Sequence, residues 1–111
     1  MGSVGGEHYH AHVYFDSQQH EIASQLHREL AGKFKVALGR IFSMPIGPHP
    51  KGMFQVVFSA SQFASIVEWL LHNRRGLDVL VHAVSGNDLK DHTELTLWLG
   101  QSHALRLEAL E

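Results

Sequence analysis

The chain has 111 residues and a mass of 12.4 kDa, the size of one ordinary domain, and 44% of it is hydrophobic, enough for one core without disulfide or metal staples. Nine Lys and Arg against eleven Asp and Glu, with a formal charge of -2, give no electrostatic footprint for nucleic acid or an anionic membrane surface. With no cysteine, no apolar run near the roughly 20 residues that span a bilayer and no basic-then-apolar leader, neither thiolate chemistry nor a membrane span nor a secretory signal is expected, and a cytoplasmic location follows by default.

Ten histidines exceed the Lys and Arg combined. Histidine is the commonest metal ligand and the side chain best suited to proton transfer near neutral pH, so the positions of these ten rings carry the functional question. Residues 1–7, beginning MGSVGG, read as a flexible lead-in to a single domain over 1–111.

His8 to Phe15 (HYHAHVYF) alternates, with Tyr9, Ala11, Val13 and Phe15 on one side and His8, His10, His12 and Tyr14 on the other, the pattern of a half-buried strand. Asp16-Ser17 caps a helix in which Ile22, Ala23, Leu26 and Leu30 repeat at helical spacing, and Gly32 is its expected stop. His20 and His27 lie two turns apart along it. Lys35 to Ser43 reads as a second strand. Met44 to Gly52 (MPIGPHPKG) holds all three prolines, which forbids both helix and central strand and makes it a stiff loop.

Met53 to Phe58 is a third strand. Ser59 or Ser61 caps a second helix running to about Arg74, with Phe63, Ile66, Val67, Leu70 and Leu71 on its apolar side and Gly76 ending it. Leu77 to Val84 is a fourth strand, with Asp78, Leu80 and His82 on one side and Leu77, Val79 and Val81 on the other. The order β-α-β-β-α-β predicts an α+β, ferredoxin-like fold: an antiparallel sheet with both helices on one face, plus a C-terminal extension. Asn87 to Gly100 is expected to be a short helix or irregular, and His103 to Leu110 to add an edge strand.

That fold sorts the histidines. The helices cover the Tyr9, Ala11, Val13 side, so His10, His12 and His82 project from the other, open face, and His12 and His82 meet across neighbouring strands. Rings two residues apart on a strand, roughly 6.6 Å between Cα atoms, can converge on one cation. Pro48 and Pro50 flank His49 and fix its backbone in advance. An HxH pair on a strand is equally the mark of a polar exposed face, and His82 of a buried ring with one hydrogen bond. His92 follows Asp91, which would either orient its ring or cap a helix. His8, His20, His27, His72 and His103 read as surface residues, and Tyr14 and Trp98 as packing or substrate contacts.

Four segments resemble the DOPA 4,5-dioxygenase family in order along the chain: YHAHVYFD (Tyr9 to Asp16), PIGPHPKGMFQV (Pro45 to Val56), NRRGLDVLVHAVSG (Asn73 to Gly86) and DHTELTLWLG (Asp91 to Gly100). The family usually has HP and then TG after the fourth strand, where this chain has His82-Ala83-Val84-Ser85-Gly86. The resemblance implies a non-haem metal-dependent extradiol dioxygenase acting on a catechol-type ring and dioxygen. Fe(II) is the implied metal, with zinc or another divalent metal as the alternative. His12, His49 and His82 are the expected ligands, Asp16 or Glu94 a carboxylate to complete them, and His10 and His92 the expected acid-base residues.

Two other functions use the same residues. One is a non-catalytic ferredoxin-like module binding a small molecule or subunit on its open face, and the other a divalent-metal hydrolase. An apolar open face further predicts a homodimer, and unperturbed imidazoles predict loss of metal between about pH 7 and 5.

Overall fold

The computed structural model describes residues 6–110. Its elements are β1 (His8–Phe15), α1 (His20–Lys33), β2 (Ala37–Leu38), β3 (Gly52–Ser59), α2 (Phe63–Asn73), β4 (Val79–Ala83), a one-turn α3 (Asp88–Asp91) and β5 (Thr96–Leu99), with a closing 3-10 turn at Leu107–Leu110. The strands form one antiparallel sheet in the order β2-β3-β1-β4-β5. That is the ferredoxin-like arrangement with β5 added beside β4.

The alternation of β1 positions the core. Ala11, Val13 and Phe15 point to the helices and pack with Ala23, Leu26 and Leu30 of α1 and Ile66 and Leu70 of α2. The α1 contacts recur at helical spacing, which is why that helix lies along the sheet. Both helices begin alike: the Gln19 and Gln62 side chains accept the backbone N–H of Asp16 (2.9 Å) and Ser59 (3.0 Å) three residues earlier, satisfying donors that a helix start leaves free.

Four sequence expectations change. Gly32 does not stop α1, which runs to Lys33 before Phe34 turns extended. The second strand is broken: Gly39 donates to Gln55 O and Phe42 pairs with Met53, so Arg40 and Ile41 stand against Phe54 alone. This one-residue bulge bends the strand away from its partner. The edge strand is Thr96–Leu99, not the tail, because Leu99 packs on the helix side while Trp98 packs on the other. Finally, the lead-in is anchored at Glu7, whose carbonyl accepts from Ala60 N (2.8 Å), while residues 1–5 of the expected flexible stretch lie outside the described residues.

The second sheet face is not open. Tyr14, Met53 and Leu80 are buried there at 1%, 5% and 0% exposure, packed with Phe42, Trp98 and Leu105. The segment after β5 makes this roof. Gly100, at φ +85, turns the chain with the Asp78 carboxylate where a Cβ would stand. Asp78 then holds Gln101 N (2.9 Å) and His103 Nε2 (2.7 Å), and Arg106 N reaches Pro48 O (2.8 Å). The ground for expecting a homodimer, a bare apolar sheet face, is therefore gone.

Candidate metal centre

Five imidazoles gather under this roof. β1 supplies His10 and His12, β4 supplies His82, the proline-rich loop supplies His49, and the end of α3 supplies His92. His12, His49 and His82 are buried at 2%, 5% and 3% exposure, whereas His10 and His92 are half-buried. Ring centroids are 4.1 Å apart for His12 and His49, 5.0 Å for His12 and His82, and 4.2 Å for His82 and His92. A cavity of ≈ 170 Å³ opens among them, walled also by Gln55, Pro48 and Leu110.

Two sets of three rings have ligand atoms all within 4.8 Å of one another: His10, His12, His82 and His12, His49, His92. His12 belongs to both. Every histidine expected at the site from the sequence is thus in the cluster, although distance and burial divide it differently. Burial separates His12, His49 and His82 from the rest; distance makes His12 the hub of two triads. Neither set contains a carboxylate among the described residues. Asp16 is paired with Lys51 (2.7 Å), and Glu94 is exposed beside a different, mostly apolar hollow.

The hydrogen bonds show which nitrogens face the cavity. His82 Nδ1 donates to Ala83 O and His92 Nδ1 to Asp88 O, each at 2.7 Å. A carbonyl only accepts, so in the neutral rings Nε2 of each is an unprotonated acceptor. His49 Nδ1 lies 2.7 Å from the Tyr14 hydroxyl. Asp91, expected to orient His92 or cap a helix, does neither: its buried carboxylate takes Ser85 N (2.9 Å) and Ser85 Oγ (2.5 Å), and Asn87 caps α3.

The electrostatics favour neutral rings. Burial first, then neighbouring imidazoles, lowers His12 well below its ordinary pKa and lowers His49 to about 4. Burial likewise lowers His82 to about 4, against the raising effect of the Ala83 carbonyl, and burial and His92 lower His10. Burial pushes the Tyr14 hydroxyl above its ordinary value. At neutral pH the buried rings are therefore uncharged, the form that binds metal.

These residues fit a divalent cation. The Nε2 atoms of His12 and His82 are 3.0 Å apart, and His12 Nδ1 is buried with no hydrogen-bond partner. Two metal–nitrogen bonds of about 2.1 Å at right angles place their nitrogens about 3 Å apart. Neutral imidazoles suit iron, zinc, copper or nickel.

Of the histidines read as surface residues, His8, His20 and His72 are exposed. His27 instead bonds Gly39 O (2.9 Å), and His103 bonds Asp78. Sequence reasoning left the Tyr14 contact open. Its signal was present, since Tyr14 shares the alternating face of His10 and His12, but the partner comes from a loop that sequence pattern does not place.

Comparisons with known proteins give the family. The Dopa 4,5-dioxygenase family matches residues 9–109, a span that includes all five rings. A DOPA 4,5-dioxygenase of Amanita muscaria is 32% identical over 92% of this chain and 49% of its own length. A functionally uncharacterised 21.2 kDa protein of Botryotinia fuckeliana is 30% identical over 90% of this chain and 61% of its own. The chain spans about half the length of the Amanita protein. A crystal structure from Nostoc punctiforme, provisionally described as a dioxygenase, has a TM-score of 0.94 at 46% identity over 99% of this chain and 96% of that one. A match along nearly the whole chain, through every element that supplies a cluster histidine, makes this chain a member of the Dopa 4,5-dioxygenase family.

Proposed function

We propose that the chain is a non-haem metal-dependent extradiol dioxygenase that opens a catechol-type, DOPA-like ring with dioxygen. The observation that carries this reading is the gathering of five imidazoles, three of them buried and neutral, around one small cavity in a chain of this family. His12, His49 and His82, the deepest rings, would hold the cation, with Fe(II) as the metal that suits dioxygen chemistry. When bound, the cation supplies one centre at which a catechol and dioxygen meet.

The chain's own groups do the rest. In the neutral form of His92, with Nδ1 donating to Asp88 O, Nε2 is the free acceptor that can take a catechol hydroxyl proton. His10, half-buried at the cavity and lowered in pKa, is the second proton carrier. Leu110 and Pro48 wall the cavity and would limit the water that reaches the reacting ring. The ring carbon–carbon bond beside the diol breaks, and both oxygen atoms of dioxygen remain in the product.

The test is anaerobic loading with Fe(II), then air and a panel of catechols that includes DOPA. A coloured ring-opened product carrying both atoms of labelled dioxygen is expected. Iron bound at one per chain with no product from any catechol would sink the reading. Turnover with zinc and without dioxygen would point to a hydrolase instead.

A further inference from the structure

We infer that Tyr14 is a positioning residue of this centre: its hydroxyl grips the Nδ1 side of His49 and so turns that ring's Nε2 to the cluster. The inference rests on the metal-centre reading above for its consequence, but not for the contact itself.

His82 and His92 are each held by a main-chain carbonyl of their own neighbourhood, Ala83 O and Asp88 O. His49 has no such carbonyl at Nδ1. It sits on a loop between strands, and the group that meets Nδ1 is a side chain 35 residues away, at 2.7 Å. Pro48 and Pro50 fix the backbone of this loop but leave the ring free to rotate about its own side-chain bonds. Something else has to stop that rotation, and Tyr14 is built to do so.

The tyrosine is 1% exposed. Its ring stacks on Trp98, with centroids 5.8 Å apart, and lies 5.9 Å from His103, while its backbone N–H donates to Asp78 O at 2.9 Å. Asp78 in turn holds His103 through its carboxylate. The hydroxyl is thus a fixed point projecting from the centre of the sheet. A phenol can both donate and accept, so the contact survives whichever nitrogen of His49 carries the proton. A carbonyl in its place would tolerate one form only. The ring orientation can therefore persist when a cation takes the Nε2 lone pair and the ring proton sits on Nδ1, donating to the Tyr14 oxygen.

Tyr14→Phe keeps the ring and removes the grip. Zinc, as a redox-inert probe, is titrated into wild type and variant in competition with a chromophoric chelator. Affinity is expected to fall about 10–100-fold, the usual effect of removing a group that orients a ligand. Leu80→Val loosens the same packing without touching a hydroxyl and should leave zinc affinity of the folded protein unchanged. Equal affinity in Tyr14→Phe and wild type, or an equal loss in Leu80→Val, overturns the proposal.

Nitrogen NMR of the metal-free protein separates this idea from the reading it rests on. Wild-type His49 should show an Nδ1 shift displaced by the hydroxyl contact in whichever tautomer it adopts, and Tyr14→Phe should move that shift. An unchanged Nδ1 shift also overturns the proposal. A wild type that binds no metal sinks the metal centre, while the nitrogen shifts still decide whether Tyr14 holds His49. Should Tyr14→Phe fail to fold, a protected Tyr14 hydroxyl proton correlated with His49 Nδ1 in the wild type supports the contact, and its absence refutes it.

Discussion

His12 and His82 bring their Nε2 atoms to 3.0 Å although their backbones are not partners: His82 stands opposite His10, and His12 stands opposite Leu80. The contact is diagonal across the β1–β4 ladder, which lets His10 approach the same point from the paired position. His82 Nε2 is an acceptor, so without metal His12 must donate from Nε2 and leave its Nδ1 lone pair buried and unmatched. A cation bound by both Nε2 atoms would replace that hydrogen bond and leave the His12 proton on Nδ1.

His12→Ala should therefore abolish metal binding, because His12 is common to both compact triads. His10→Ala should keep one metal per chain and lose activity by about 10²–10⁴, the usual worth of a positioned acid or base. Elemental analysis beside turnover decides the assignment. Metal lost from His10→Ala but kept in His49→Ala would place the cation in the His10, His12, His82 set and reverse the roles of His10 and His49.

Stability of the metal-free protein should depend on pH in a definite direction. His49 and His82 have pKa values of about 4 when folded, against about 6.5 in the unfolded chain. As pH falls, the unfolded state takes up protons first. Stability is thus complete above about pH 6.5 and is lost progressively toward pH 4, by up to about 3 kcal/mol for each fully shifted ring. Urea midpoints at about pH 7, 5.5 and 4.5 measure it; a flat profile would mean that these rings are not held neutral. Metal follows the same rings. Unperturbed imidazoles would release it between about pH 7 and 5, whereas buried ones should retain it at about pH 5.5 and release it toward pH 4.

Much of this was legible in the sequence because it depends on local period. Alternation in His8–Phe15 placed His10 and His12 on one face and Ala11 and Val13 on the other, and the β-α-β-β-α-β order brought β4 beside β1, hence His82 beside them. What failed depends on chain returning from a distance. The roof over the histidine face comes from segments without period: the proline loop, one turn of helix, and a tail fixed by Asp78. Thr96–Leu99 was missed as a strand because four residues carry too little alternation to outweigh the turn residues before them. The bulge at Arg40 and Ile41 leaves no mark in composition.

The helix-side core should be separable from the site. Leu26 is fully buried between α1 and the sheet. Leu26→Ala should cost about 2–5 kcal/mol through lost burial and the cavity left behind. Metal affinity of the folded fraction should not change, because every cluster ring lies on the other sheet face. Denaturant unfolding paired with zinc titration checks both halves, and a loss of affinity would mean that the sheet itself shifts.

Asp78 should control the roof. Burial pushes its carboxyl up, but the Gln101 N–H and His103 hold it below its ordinary value, so the carboxylate is charged where it receives both bonds. Asp78→Ala removes both at once and should cost about 1–3 kcal/mol. His103→Ala leaves the Gln101 bond intact and should cost less. The more telling readout is local. Freed from Asp78, the segment that lays Leu105 on Tyr14 and ties Arg106 N to Pro48 O should open more often. Amide hydrogen exchange at Gln101 and Arg106 should quicken well beyond that at Val79 and Val81 in β4. Uniform acceleration across the sheet would show that Asp78 supports the whole fold rather than the cover over the histidines, and unchanged exchange at Arg106 would show that the Pro48 bond holds the tail unaided.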